Sequence, residues 1–213
     1  MKRFLTPAIF MVLILAIFIG SVLAQDGQPS SPKLPPGFIA LVPQGYELQS
    51  PEIYALSTAG GIEFIASKQF EGRHSVQASE YHLELTIMEN LQVLIQRQVP
   101  VYRQQLEQDS QSALNRRNNV KSPGASYDKP QLSKYPWGTG ITQRVVHSFI
   151  GFGKQPDEIE YQCEYFGLIT STGAIKKYKL SVYGVENREV ADKWAIKVAE
   201  QVEKTTISNL AVK

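Results

Sequence analysis

Glu80, His82 and Glu84 carry the chain's most suggestive chemical spacing, inside a run, Glu80 to Met88, that alternates polar and apolar residues. Residues i, i+2 and i+4 of a strand project to the same side, so this triplet offers one imidazole and two carboxylates to a divalent metal. A metal-dependent hydrolase built on Glu80, His82 and Glu84 is the alternative functional reading that follows. The simpler reading is a solvated strand face. Such triplets arise on any polar face, and neither His74, in the polar stretch Glu71 to Ser79, nor His147, in a later strand, is placed to complete the ligand set.

The rest of the inventory points away from an enzyme. There is no Gly-x-Ser-x-Gly elbow, no His-Glu-x-x-His, no paired-cysteine motif and no glycine-rich phosphate loop, so no cofactor is expected. The single cysteine, Cys163, excludes an internal disulfide and falls between Tyr161 and Tyr165 on the apolar side of a strand. A small buried residue is favoured there over an activated thiol. His147 shares a side with Val145 and Phe149 and reads as a half-buried, hydrogen-bonded histidine. The residues best suited to binding are Tyr135 and Trp137, in Lys134-Tyr135-Pro136-Trp137-Gly138-Thr139-Gly140, where two large aromatics stand among turn residues. They could form a rim that grips a partner or ligand. Alternatively Trp137 folds back over the edge of a sheet.

These residues must be positioned by a chain of 213 residues, 43% hydrophobic and 20% charged, which suits one globular domain with appendages. Residues 1–24 have the form of a cleaved secretory signal: Lys2 and Arg3, an apolar run from Ala8 to Ile19, then Gly20, Ser21 and Val22-Leu23-Ala24. An uncleaved anchor is the competing reading, since the nearly uninterrupted stretch Ile9 to Ala24 approaches the roughly 17 residues that span a bilayer. Removing Lys2 and Arg3 with the signal leaves 20 basic against 20 acidic residues. Nothing in that balance argues for nucleic acid, and a membrane is a partner only if the signal stays attached. Residues 25–37, with four prolines, read as a flexible tether, and residues 38–213 as a single α+β domain.

Within that domain Ile39 and Leu41 suggest a short strand, closed by a turn at Val42-Pro43-Gln44-Gly45-Tyr46. Ile62 to Phe70 and Glu80 to Met88 form a hairpin. Leu91, Leu94, Ile95, Val99, Tyr102, Leu106 and Ala113 recur at helical spacing, giving a long central helix. Pro100 either bends this helix or stands in its first turn, after a strand-like segment reaching Gln96. Residues 118–140 lack periodicity and read as a long connection.

Three alternating strands follow, Ile141 to Ile150, Glu158 to Ile169 and Ile175 to Val185. Ile159, Tyr161, Cys163, Tyr165 and Ile169 take one face, and Glu158, Glu160, Gln162 and Glu164 take a wet one. Lys177 and Lys179 share that wet face and supply opposite charges. Asn187 caps a C-terminal helix whose stripe is Val190, Ala191, Trp194, Val198, Val202 and Thr205, with Trp194 as the plug against the sheet. The expected fold is thus an antiparallel β-sheet packed by a long central helix and a C-terminal helix.

The Pro43-x-Gly45-Tyr46 turn, with antiparallel strands on either side of a long helix and a helix after the last strand, resembles the PsbP-like fold over roughly residues 38–208. That family comprises α/β/α sandwiches, including extrinsic subunits of the photosynthetic oxygen-evolving complex and bacterial relatives. The resemblance implies a binding or assembly role without catalysis, and no site residue is carried over from it. The function expected is an exported, non-enzymatic binding or assembly domain of the bacterial cell envelope, periplasmic or secreted, with another envelope protein or a small ligand as partner.

Overall fold

The computed structural model of the chain describes residues 33–71, 76–89, 95–148, 158–171 and 173–210. The expected signal, His74, Leu91, Leu94, Phe149 and Ile150 lie outside them. The fold is mostly antiparallel sheet with a few helices. The helices are α1 (Pro36–Ile39), α2 (Ile95–Asn118), α3 (Arg188–Lys204) and α4 (Ile207–Leu210). The strands are β1 (Glu47–Leu48), β2 (Glu52–Ala55), β3 (Ala59–Glu71), β4 (Val76–Glu89), β5 (Ala125–Tyr127), β6 (Gln131–Tyr135), β7 (Gly138–His147), β8 (Glu158–Ser171) and β9 (Ala174–Val185). Their spatial order is β1-β3-β4-β9-β8-β7-β5, with β2 sharing the outer edge of β3 and β6 that of β7.

Period-two alternation explains the apolar face. Ile62 and Phe64 of β3, Tyr81, Leu83, Leu85 and Ile87 of β4, Tyr178, Leu180 and Val182 of β9, and Cys163 and Tyr165 of β8 are all buried on one side. The register that aligns them pairs Tyr81 with Val182, Leu83 with Leu180 and Leu85 with Tyr178. α3 lies on this face through Ala191, Ala195, Val198, Ala199 and Val202, and Leu34, Phe38, Ile207 and Leu210 complete the core. The side chain of Asn187 accepts the Glu189 amide at 2.8 Å and so starts α3. Val190, placed on the apolar stripe by spacing, is 38% exposed instead. The stripe in contact is alanine-rich, and those short side chains let the helix approach the sheet closely.

Several expectations are corrected. Ile39 and Leu41 do not make a strand: Pro35 and Pro36 preset the first turn of α1, which buries Phe38 and turns Ile39 outward. Packing starts before residue 38, since Leu34 is buried. α2 is already formed at Ile95 and continues through Pro100, while β4 ends at Glu89, so no strand reaches Gln96. Residues 118–140 are not structureless, for β5 and β6 both pair antiparallel with β7, Tyr135 opposite Gly138 and Tyr127 opposite Val145. Short edge strands with lone prolines and no alternation leave little periodic signal.

The second face of the sheet is not uniformly wet. Over β7 to β9 it is covered by α2, whose Leu106 and Ala113 meet Ile141 and Phe166. Glu164, expected in solvent, is 2% exposed, and Arg117 of α2 is 7% exposed beside it. Lys177 and Lys179 do not face the glutamates across the β8–β9 hairpin. The register sets them opposite Leu168 and Phe166, and their carboxylate partners are Asp109 of α2 and Glu84 of β4. Ile159, expected inside, is 44% exposed because β8 gains its β9 neighbour only from Tyr161 onward.

The β8–β9 register shifts between Tyr161 and Cys163, where Gly184 takes φ +69° and a β-carbon there would stand 2.6 Å from the carbonyl oxygen of Ala78. Gly173, in the turn, has φ +84° but open space around it. Gly184→Ala is therefore expected to cost more than Gly173→Ala, about 2 kcal/mol or more against about 1 kcal/mol. Urea denaturation of the two variants checks the order.

Candidate functional site

Three groups of side chains could do chemistry or bind. The first begins in a cleft of about 350 Å³ between α2 and the sheet, lined by Glu84, Thr86, Asp109, Ser112, Arg116, Lys177 and Lys179. Its charges are largely paired within it. Lys177 Nζ lies 2.7 Å from Asp109 Oδ2, Lys179 Nζ lies 3.4 Å from Glu84 Oε1, and Arg116 reaches Glu164 at 3.0 Å.

At the cleft's rim Glu84 stands directly opposite Glu63 of β3, and both side chains are about half exposed. His82 Nε2 is 2.9 Å from Glu63 Oε1 and 3.8 Å from Glu84 Oε1. Of the triplet read from spacing, His82 and Glu84 lie 3.8 Å apart, and the carboxylate grouped with them is that of Glu63, not Glu80. Spacing along one strand could not reveal Glu63, because the contact depends on the β3–β4 register. His147 pairs with Glu160 Oε1 at 3.4 Å on the α2 side of the sheet.

The second group is aromatic. A two-residue link, Pro136-Trp137, joins β6 to β7 and stacks the rings of Tyr135 and Trp137, with centroids 4.6 Å apart and planes 8° from parallel. Behind the stack, Trp137 lies 6.3 Å from Tyr165 and 6.0 Å from Tyr178, centroid to centroid. Asp192 of α3 fixes the arrangement, since Tyr135 and Tyr165 both donate their hydroxyls to its Oδ1 at 2.8 Å. Arg188 Nε is 3.3 Å from Asp192 Oδ2, and the Arg188 guanidinium also donates to Gln131 and Ser133 of β6. Burial first, then the Asp192 carboxylate, hold the Tyr135 phenol above its ordinary range.

Tyr135 and Trp137 are therefore brought together, both half-buried and both against the core. Asp192 and Arg188 are organising residues that pattern reading missed. Their i, i+4 spacing was the available signal, and it went unused because the same helix offers Glu189 with Lys193 at that spacing too.

The third group is a surface cleft of about 410 Å³ lined by Tyr46, Lys68, Ser79, Val190 and Trp194. Trp194 closes its floor, edge-on to Tyr46 and to Tyr81 with both centroids at 5.8 Å. The tryptophan expected to plug the sheet packs against the core from the N-terminal half of α3 and remains partly exposed. Cys163, by contrast, is fully buried, and desolvation pushes its thiol up to about 12. At neutral pH it is a protonated core residue, not a nucleophile.

No helix among the described residues is long and apolar enough to cross a membrane. No family model matches the chain, and no curated protein matches it. Among solved structures the chain is similar to LpqN, described as involved in cell envelope biogenesis of Mycobacterium tuberculosis. The identity is 11% and the TM-score 0.30, over 73% of this chain and 82% of that one.

The buried acids predict an alkaline limit to stability. Burial raises Cys163 from 9.0 to about 12, and burial likewise raises Tyr81, Tyr165 and Tyr178 above the ordinary phenol value of 10.0. The unfolded chain loses these protons from about pH 9 upward while the folded chain keeps them. Their contribution is complete below that point and declines as pH rises through 9 to 12. Urea midpoints are expected to hold to about pH 8.5 and then fall, and a thiol reagent is expected to label Cys163 only in denaturant.

A second test concerns the shared acceptor. Asp192→Ala leaves the Tyr165 hydroxyl without its carboxylate in a buried setting and is expected to cost about 2 kcal/mol. Asp192→Asn, which retains an acceptor oxygen, is expected to recover about half of that loss in the same denaturation assay.

Proposed function

We propose that this chain is a non-catalytic binding domain exported to the bacterial cell envelope, where it holds another envelope protein through the half-exposed Tyr135–Trp137 stack. The observation that carries the reading is the preorganisation of that stack. Two large rings are already parallel, braced from behind by Tyr165 and Tyr178 and pinned by a hydroxyl on Asp192. Rigid aromatics that lose little freedom on contact are the residues on which interface energy concentrates.

Supporting observations come from the groups that might otherwise react. Cys163 is buried and protonated, His147 is paired with Glu160, and the lysines of the cleft are neutralised by Asp109 and Glu84. The signal-like segment at residues 1–24 and the proline-rich stretch after it support export and a tethered or released domain. The competing hydrolase takes Glu80, His82 and Glu84 along one strand, and the β3–β4 register instead sets Glu63 beside His82 and Glu84, a different residue with the same donor chemistry.

Trp137 also packs, so its truncation alone is an ambiguous test. Trp137→Ala is expected to lower stability by about 2 kcal/mol, less than a fully buried tryptophan would. Lys134→Glu, at an exposed position beside the stack, is expected to leave stability within about 0.5 kcal/mol. In crosslinking of the chain to envelope extract, both variants are expected to reduce recovery of one defined partner by about tenfold. An unchanged partner set in both variants, with stability lost only in Trp137→Ala, assigns the stack to packing and overturns the reading.

A further inference from the structure

We infer that Glu63, His82 and Glu84 form a surface site for a divalent metal ion of the zinc class, held by one imidazole nitrogen and two carboxylate oxygens. The inference is independent of the binding role given to the aromatic stack, which lies on the opposite face of the sheet.

The distances carry the inference. A zinc ion bound at about 2.0–2.1 Å from each ligand in tetrahedral geometry needs neighbouring ligand atoms about 3.3–3.4 Å apart. The two imidazole-to-carboxylate separations, 2.9 and 3.8 Å, straddle that value, and all three ligand atoms lie within 4.8 Å of one another. Small torsional adjustments of two glutamates bring them onto one ion. The backbone beneath need not move, because β3 and β4 are paired continuously from Ala59 opposite Met88 to Glu71 opposite Val76.

The charge arrangement supports the same conclusion. Glu63 and Glu84 are direct cross-strand partners, and like charges directly opposite each other weaken a sheet. His82 and Lys179 offset that repulsion only in part. Their contacts are a ring nitrogen at 2.9 Å from Glu63 and an ammonium at 3.4 Å from Glu84, on side chains open to water. A dication placed between the carboxylates removes the repulsion directly. The imidazole selects among ions, since nitrogen with carboxylate oxygen suits zinc and its first-row neighbours, whereas calcium and magnesium take oxygen alone.

The site is also accessible. Glu63 and Glu84 are about half exposed, and His82 one-fifth exposed, so water can supply the remaining coordination position. Lys179 is the resident competitor. Its ammonium holds the same Glu84 oxygen that the ion would take, and it must swing away as metal binds.

Isothermal titration of the untagged full chain with zinc chloride tests the site, with circular dichroism confirming the fold of each variant. One equivalent is expected to bind to the wild type and to raise the thermal midpoint. His82→Ala and Glu63→Gln are each expected to weaken binding at least about tenfold. Glu80→Gln, which alters the neighbouring carboxylate outside the cluster, is expected to bind as the wild type does. Lys179→Met, which removes the competing ammonium, is expected to bind more tightly. Absence of stoichiometric binding to the wild type overturns the inference. So does equal binding by a folded His82→Ala, or loss of binding in Glu80→Gln with retention in Glu63→Gln.

Discussion

A carboxylate buried between two guanidiniums holds this fold in register. Glu164, in the middle of β8, receives Arg116 Nη2 on one oxygen at 3.0 Å and Arg117 Nε on the other at 3.1 Å. A carboxylate at 2% exposure is tolerated only with such partners, and removing one of them leaves its desolvation only partly offset by the other. Both arginines come from the last turn of α2, where positive charge also complements the helix dipole. Arg117 further donates to Gln162, and its ring-facing side lies over Tyr183 with the guanidinium carbon 5.1 Å from the centroid. The C-terminal end of α2 is thereby fixed over β8 and β9.

That anchorage governs the path of the chain that follows. After Asn118 the backbone lies over the sheet and has to reach β7, the outermost long strand on that side. Gln143 of β7 draws it in, donating to the carbonyls of Arg117 and Asp128 at 3.2 and 2.9 Å. The segment then runs down the exposed edge of β7 as β5 and β6, satisfying backbone groups that would otherwise face solvent or another chain. The link at the end of β6 delivers Tyr135 and Trp137 to the apolar face, where Asp192 and Arg188 of α3 receive them. A polar lock on one face and an aromatic clasp on the other are thus connected through the same edge strands.

The two faces also divide the chemistry. Beneath α3 the sheet is apolar and aromatic, which suppresses the reactivity of Cys163 and the buried tyrosines by desolvation. Beneath α2 a small apolar cluster of Leu106, Ala113, Ile141 and Phe166 is bordered by ion pairs, in which the lysines find helix and strand carboxylates. α2 covers β7 to β9 and reaches β4 where Tyr102 donates to Met88, while Glu63, His82 and Glu84 keep part of their surface in water at the margin of a charged cleft. The aromatic stack proposed to bind a partner and the cluster proposed to bind a metal therefore sit on opposite sides of one sheet, with different chemistry and no shared residue.

Local pattern alone determined much of this protein. Alternation marked β4, β8 and β9 and the residues they bury, and helical spacing with Asn187 marked α3, because both signals depend on neighbours a few residues apart. The same spacing identified Tyr135 with Trp137, and His82 with Glu84, as groups sharing a locality. Only the tertiary structure decided that Glu164 is dry, that residues 125–135 are strands, and that Glu63 replaces Glu80 beside His82. Each of these depends on what a remote segment brings: a pair of arginines from α2, an unpaired edge of β7, a register with β3. A polar face reads the same along the chain whether water or a guanidinium lies against it, and the difference exists only once the layers have closed.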